Sequence, residues 1–95
     1  MANSVYPFQI HVPEDVLNDL FARIKNTRWP GEIADSDWDY GSNLGYVKEL
    51  CDYWLESFSW SDQEDRLNKF SQFTTNVSGL NIHFIHEKGV GQDPI

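Results

Sequence analysis

The chain has 95 residues, 40% hydrophobic and 15% aromatic, with a net charge of -8 from 15 acids and 7 bases. That length allows at most one domain with a small core. The charge leaves no basic stripe for nucleic acid and disfavours anionic membranes. Six Phe, four Trp and four Tyr are too many for a disordered tail, so the rings pack on one another or on a partner.

A single cysteine, Cys51, excludes an intrachain disulfide and a cysteine-based zinc site. It lies in an apolar helical stripe and reads as a small buried hydrophobe, with a nucleophilic thiol as the weaker alternative. The start MANSVYPF lacks the basic and apolar runs of a secretory signal. No stretch approaches the roughly 20 apolar residues of a membrane span. The expectation is a cytoplasmic, reducing setting with no membrane anchor.

Residues 1–12 read as an extended arm. Pro7 and Pro13 bracket Phe8, Ile10 and Val12, which alternate with Gln9 and His11 as in a half-buried strand. A first helix is predicted from Pro13 to about Asn26, with Pro13 in the first helical position and Glu14 and Asp15 at the positive end of the dipole. Val16, Leu17, Leu20, Phe21 and Ile24 form its apolar face, and Asp19 can pair with Arg23. Asn26 to Ser42 is a long loop carrying Trp29, Pro30, Gly31, Trp38 and Tyr40. Its rings suggest that it is packed down.

A second helix is predicted from about Asn43 to Ser57, capped by Asn43 or Ser42. Leu44, Val47, Leu50, Cys51, Trp54 and Phe58 form its stripe, flanked by Tyr46 and Tyr53. A third, shorter helix starts near Ser61, where Ser61 and Glu64 fit a capping box. From Phe73 the period changes to two. Phe73, Thr75 and Val77, then Leu80, Ile82 and Phe84, flank Ser78-Gly79 and read as a hairpin. A loop runs from Glu87 to Pro94. A lone hairpin is marginal and open at both edges; only the Phe8–Val12 arm offers a weak third strand.

No catalytic constellation emerges. His83 and His86 are three apart, on opposite faces of a strand, and His11 is isolated. Asp35, Asp37 and Asp39 lack the Gly and Glu of a calcium loop: the sixth and twelfth positions are Tyr40 and Tyr46. Asp62, Glu64 and Asp65 suit a helix start. No G-x-S-x-G elbow and no phosphate-binding glycine loop is present. Trp29, Trp38, Tyr40 and Trp54 could line a ligand pocket, but such rings are more often packing anchors.

Several pieces, in order, resemble the N-terminal region of epoxide hydrolases of the microsomal and juvenile-hormone type and their soluble microbial relatives. They are Pro7-Phe8 with Ile10, Val12-Pro13, Asn26-Thr27-Arg28-Trp29-Pro30, Trp38-Asp39-Tyr40-Gly41, and Leu50 with Asp52-Tyr53-Trp54. Arg66-Leu67-Asn68, Phe73-Thr74-Thr75 and Gly79 through His86 complete the likeness, which runs from about Pro7 to Glu87. The resemblance implies a fold that is α+β as a fragment. Residues 13–71 would be a helical meander of two to three helices. Residues 72–87 would be a β-hairpin beginning the central sheet of an α/β-hydrolase fold, and 88–95 a loop toward a missing hydrolase domain.

It also implies a reaction for the parent enzyme: water adds to an epoxide through an aspartyl-ester intermediate to give a vicinal diol, with no metal or organic cofactor, as in detoxification. No residue of this chain matches a catalytic position of that family. The function read here is a structural domain bracing the hydrolase core and lid. The alternative is a stand-alone module docking on a hydrolase or another partner. The packing and interface candidates are Trp29, Trp38, Tyr40, Tyr53, Trp54 and Phe73. The expected partner is the C-terminal α/β-hydrolase domain, with self-association or a homo-oligomer as a further outcome of exposed faces.

Overall fold

A computed structural model describes residues 4–93. It contains β1 (Val5–Phe8), α1 (Glu14–Lys25), α2 (Leu44–Glu56), α3 (Trp60–Leu67), β2 (Gln72–Val77) and β3 (Leu80–Ile85). The contacts divide into two units: residues 12–59, which hold α1 and α2, and the remainder, in which α3 accompanies the sheet.

In the first unit, α1 begins one residue later than its sequence suggests. Pro13 has φ -60 and ψ 152, so it is the extended cap. Its carbonyl accepts from the N–H groups of Val16 and Leu17 at 3.1 and 3.2 Å. Asp19 and Arg23 pair at 2.8 Å, both well exposed, a contact worth a few tenths of a kcal/mol.

The start of α2 is held more firmly. Asn43 Oδ1 accepts from Tyr46 N–H at 2.9 Å, and its Nδ2 donates to Asp37 Oδ1 at 2.9 Å. The first turn of α2 carries no acid of its own. Glu32 supplies one from the loop, accepting from Leu44 N–H at 2.7 Å, where the helix dipole favours a carboxylate. The long loop is ordered by successive tight turns, closed by Ser36 N–H to Ile33 O at 3.2 Å, Asp39 N–H to Ser36 O at 2.8 Å and Gly41 N–H to Trp38 O at 3.3 Å.

In the second unit the three strands form an antiparallel sheet in the order β1-β2-β3. The hairpin forms where its pattern places it, with Val77 opposite Leu80. Ser78 and Gly79 both have positive φ, 52 and 82, the requirement of the two-residue turn that matches strand twist. Asn76 Oδ1 accepts from Gly79 N–H at 3.0 Å and steadies that turn.

The third strand is Val5–Phe8, earlier than the alternation of Phe8, Ile10 and Val12 suggests. Val5 pairs with Thr75 and Phe8 with Gln72. The reason lies in Asn68, whose Oδ1 accepts from Ile10 N–H and whose Nδ2 donates to Ile10 O, both at 2.8 Å. With both backbone groups of Ile10 held by one side chain, the ladder ends before it. Gln72, only 5% exposed, ties the end of α3 to the sheet. Its Nε2 donates to Leu67 O at 2.7 Å, and its Oε1 faces His83 Nε2 at 2.8 Å. The amide is thereby oriented, and His83 carries its proton on Nε2. Ser71 N–H donates to the Glu87 carboxylate.

Helix α3 starts at Trp60, so Ser61 lies inside its first turn. The indole Nε1 of Trp60 is covered and has no hydrogen-bond partner.

Three outcomes follow. Asn68→Ala releases the arm, and hydrogen exchange then shows β1 amides losing at least tenfold in protection while β2–β3 amides keep theirs. Ser78→Asn, which tolerates positive φ better, raises stability by about 0.5–1 kcal/mol in thermal or urea unfolding. Trp60→Phe removes the unpaired donor, so unfolding shows a loss of less than about 1 kcal/mol, or a gain, despite the smaller ring.

Candidate functional site

Helical periodicity gives α2 two apolar faces. Leu44, Val47, Cys51 and Leu55 share one and are half-buried. Tyr46, Leu50, Tyr53 and Trp54 share the other and are all exposed. The stripe read from the sequence mixed residues of both, because an apolar helix surface this wide has no unique centre in one dimension.

The sheet is also apolar on one side. The register places Val5, Pro7, Phe73, Thr75, Val77, Leu80, Ile82 and Phe84 on one face, with Tyr6, Phe8, Gln72, Thr74, Asn76, Asn81, His83 and Ile85 on the more mixed other. Phe73 and Phe84 stack with centroids 5.6 Å apart, and Phe8 meets His83 edge-on at 5.1 Å. Leu80 on the apolar face is 65% exposed.

Among the described residues no hydrophobic side chain is buried; the buried ones are Ser36 and Gln72. Large apolar residues face water in both units, Tyr40 in the first at 79% exposure and Leu80 in the sheet at 65%.

Of the interface candidates, Trp29 is half-buried, with Lys48 Nζ 6.0 Å from its ring centre. Trp38 is exposed and lies against Tyr46 at 5.4 Å. Tyr40, Tyr53 and Trp54 are exposed, and Phe73 is half-buried in the sheet. A surface cavity of about 260 Å³ in the loop is lined by Pro30, Glu32, Ile33, Ser36, Tyr40 and Leu44 among others. Of the four rings that could have formed a ligand pocket, Tyr40 alone reaches it.

Asp37 is engaged by Asn43, and Asp62 and Glu64 both have partners. Among the described residues, no group of three or more His, Cys, Asp or Glu could hold a metal ion, and no helix is long and apolar enough to cross a membrane. Sequence reasoning missed Asn68 and Gln72 as organising residues. A polar residue just before or within a strand gives no one-dimensional sign of the backbone group it will reach.

The family described as "Epoxide hydrolase N terminus" matches residues 5–95. Epoxide hydrolase 1 of Sus scrofa is 40% identical over 85 residues, which is 90% of this chain and 19% of the relative. A putative epoxide hydrolase of Stigmatella aurantiaca is 38% identical over 84 residues, 88% of this chain and 19% of that protein. The chain thus spans about a fifth of the length of these curated relatives. In structure it is similar to the juvenile hormone epoxide hydrolase of Bombyx mori, with a TM-score of 0.85 at 29% identity over 96% of this chain and 24% of that one. It is also similar to the Aspergillus niger epoxide hydrolase, with a TM-score of 0.75 at 33% identity over 86% of this chain and 22% of that one. Three helices and an antiparallel sheet in this order match the N-terminal part of those folds, and the chain belongs to the epoxide hydrolase N-terminal family.

Proposed function

We propose that this chain is the structural N-terminal segment of an epoxide hydrolase and braces the α/β-hydrolase core and lid of its parent. The observation that carries this reading is the absence of any buried hydrophobic side chain among the described residues. The helix and sheet surfaces that would form a core are apolar and at best half-buried.

The sheet edges support the same reading and give it a direction. Pro7 pairs with Phe73 but has no N–H to donate, so its nitrogen faces away from β2, toward the outer edge of β1. That edge lacks a donor where an added strand would need one. Alternation then turns the backbone groups of Asn81 and His83 outward from β3. No proline interrupts β3, so the sheet can grow past it. In the proposed parent, the catalytic domain supplies the next strand there.

The chemistry belongs to that domain. An aspartate carboxylate attacks an epoxide carbon, the C–O bond of the ring breaks as its oxygen takes a proton from a lid tyrosine, and a hydroxy-ester forms. Water activated by a His–acid pair cleaves the ester and releases the vicinal diol. The role of the present residues is to keep water out of the apolar layer beneath that site and hold the lid in place. A lone half-buried cysteine, Cys51, fits a reducing, cytoplasmic setting, and hydrolysis of reactive epoxides there is a detoxifying reaction.

The test is an epoxide-opening assay on the 95-residue chain and on the same chain joined to a catalytic domain. We expect diol from the long form only; diol from the short form sinks the proposal. In the long form, Asn81→Pro removes an outward donor of β3 and lowers soluble, active protein at least tenfold. Val5→Pro, on the already blunted edge of β1, leaves it within about twofold. Equal tolerance of both would remove the strand-addition argument.

A further inference from the structure

The exposed face of α2 suggests the chemistry of what covers it. Tyr46, Leu50, Tyr53 and Trp54 are 54%, 51%, 56% and 37% exposed. Their spacing of four, three and one residues places them on one face of the helix, with Tyr46, Leu50 and Trp54 along one ridge and Tyr53 beside it. Taking roughly 150–250 Å² for a whole aromatic side chain, they present about 400 Å² of contiguous apolar surface. Patches of that size mark interaction sites. A ridge of this spacing suits another helix, packed ridge into groove.

One border of the ridge is acidic. Glu49, Asp52 and Glu56 follow one another along the adjoining side of α2, and all are exposed. The surrounding unit, residues 12–59, has ten acids and four bases, a net charge of -6, so it holds most of the chain's -8. A second copy would bring the same excess to the contact, and like charges across an interface disfavour that pairing.

We infer that the Tyr46–Trp54 face of α2 docks an amphipathic helix whose apolar stripe is bordered by Lys or Arg, rather than a second copy of this chain. This rests on the bracing role proposed above, which places such a helix in the catalytic domain of the parent. Opposite charge sets the side on which the helix sits, and the apolar ridge supplies most of the affinity.

Two labelled helical peptides test this directly. Both have the same Leu/Ala stripe; one is bordered by Lys and the other by Glu. Fluorescence anisotropy measures their binding to the 95-residue chain. The Lys-bordered peptide binds at least about tenfold tighter at low salt, and the difference shrinks near 1 M salt, where the screening length falls to about 3 Å.

The triple change Glu49→Lys, Asp52→Lys, Glu56→Lys reverses the preference. Leu50→Ser with Tyr53→Ser weakens both peptides about tenfold while far-UV circular dichroism is unchanged, since both side chains are exposed and lie off the half-buried face of α2. No binding, equal binding of the two peptides, or a homodimer abolished by Leu50→Ser would overturn the inference. The assay reads neither diol formation nor the β3 edge. A peptide preference alongside failed strand addition would therefore count against the bracing role alone, and the converse result against this helix site alone.

Discussion

Apolar surface left in water costs about 25 cal/mol for each Å², and that constraint governs how this chain is built. Its side chains follow the periods of buried elements, 3.6 in the helices and 2 in the strands, yet none of the described hydrophobic ones is buried. The sheet has an apolar face with Leu80 at 65% exposure, and α2 has a second apolar face beside the one it shares with its own unit. Such surfaces persist in proteins when something covers them. Relatives about five times as long, with this region matching only 19% of their length, are consistent with that demand.

Where apolar burial is scarce, short polar contacts hold the units in shape. Asn68 grips both backbone groups of Ile10, Gln72 joins Leu67 to His83, and Glu32 reaches across the loop to the first turn of α2. Each contributes about 0.5–1.5 kcal/mol at most. Together they specify geometry: where β1 stops, how α3 meets the sheet, and which way the loop folds back. Contacts of this kind fix geometry more than they add stability.

The two sheet edges are unequal for a similarly local reason. A single proline at position 7 pairs with Phe73 and removes a donor from the outer side of β1. Such proline placement guards an edge against unwanted pairing. The opposite edge has no such guard, since no proline lies within β3.

Much of this was legible in one dimension. Proline, acids and period placed α1; Asn43 placed the start of α2; and Ser78-Gly79 between alternating runs placed the hairpin to the residue. The family likeness rested on short pieces, and one of them, Arg66-Leu67-Asn68, now has a physical account: Leu67 O and the Asn68 amide are both hydrogen-bonding anchors. These features depend on neighbours only a few residues away, so local propensity decides them. Other features waited for the tertiary structure. The third strand is Val5–Phe8 because Asn68, 58 residues along the chain from Ile10, captures Ile10. The division of α2 into a half-buried face and an exposed one depends on what packs against it. A sequence shows which residues are apolar. Only the folded arrangement shows which of them have found cover, because burial is a relation between distant parts of a chain.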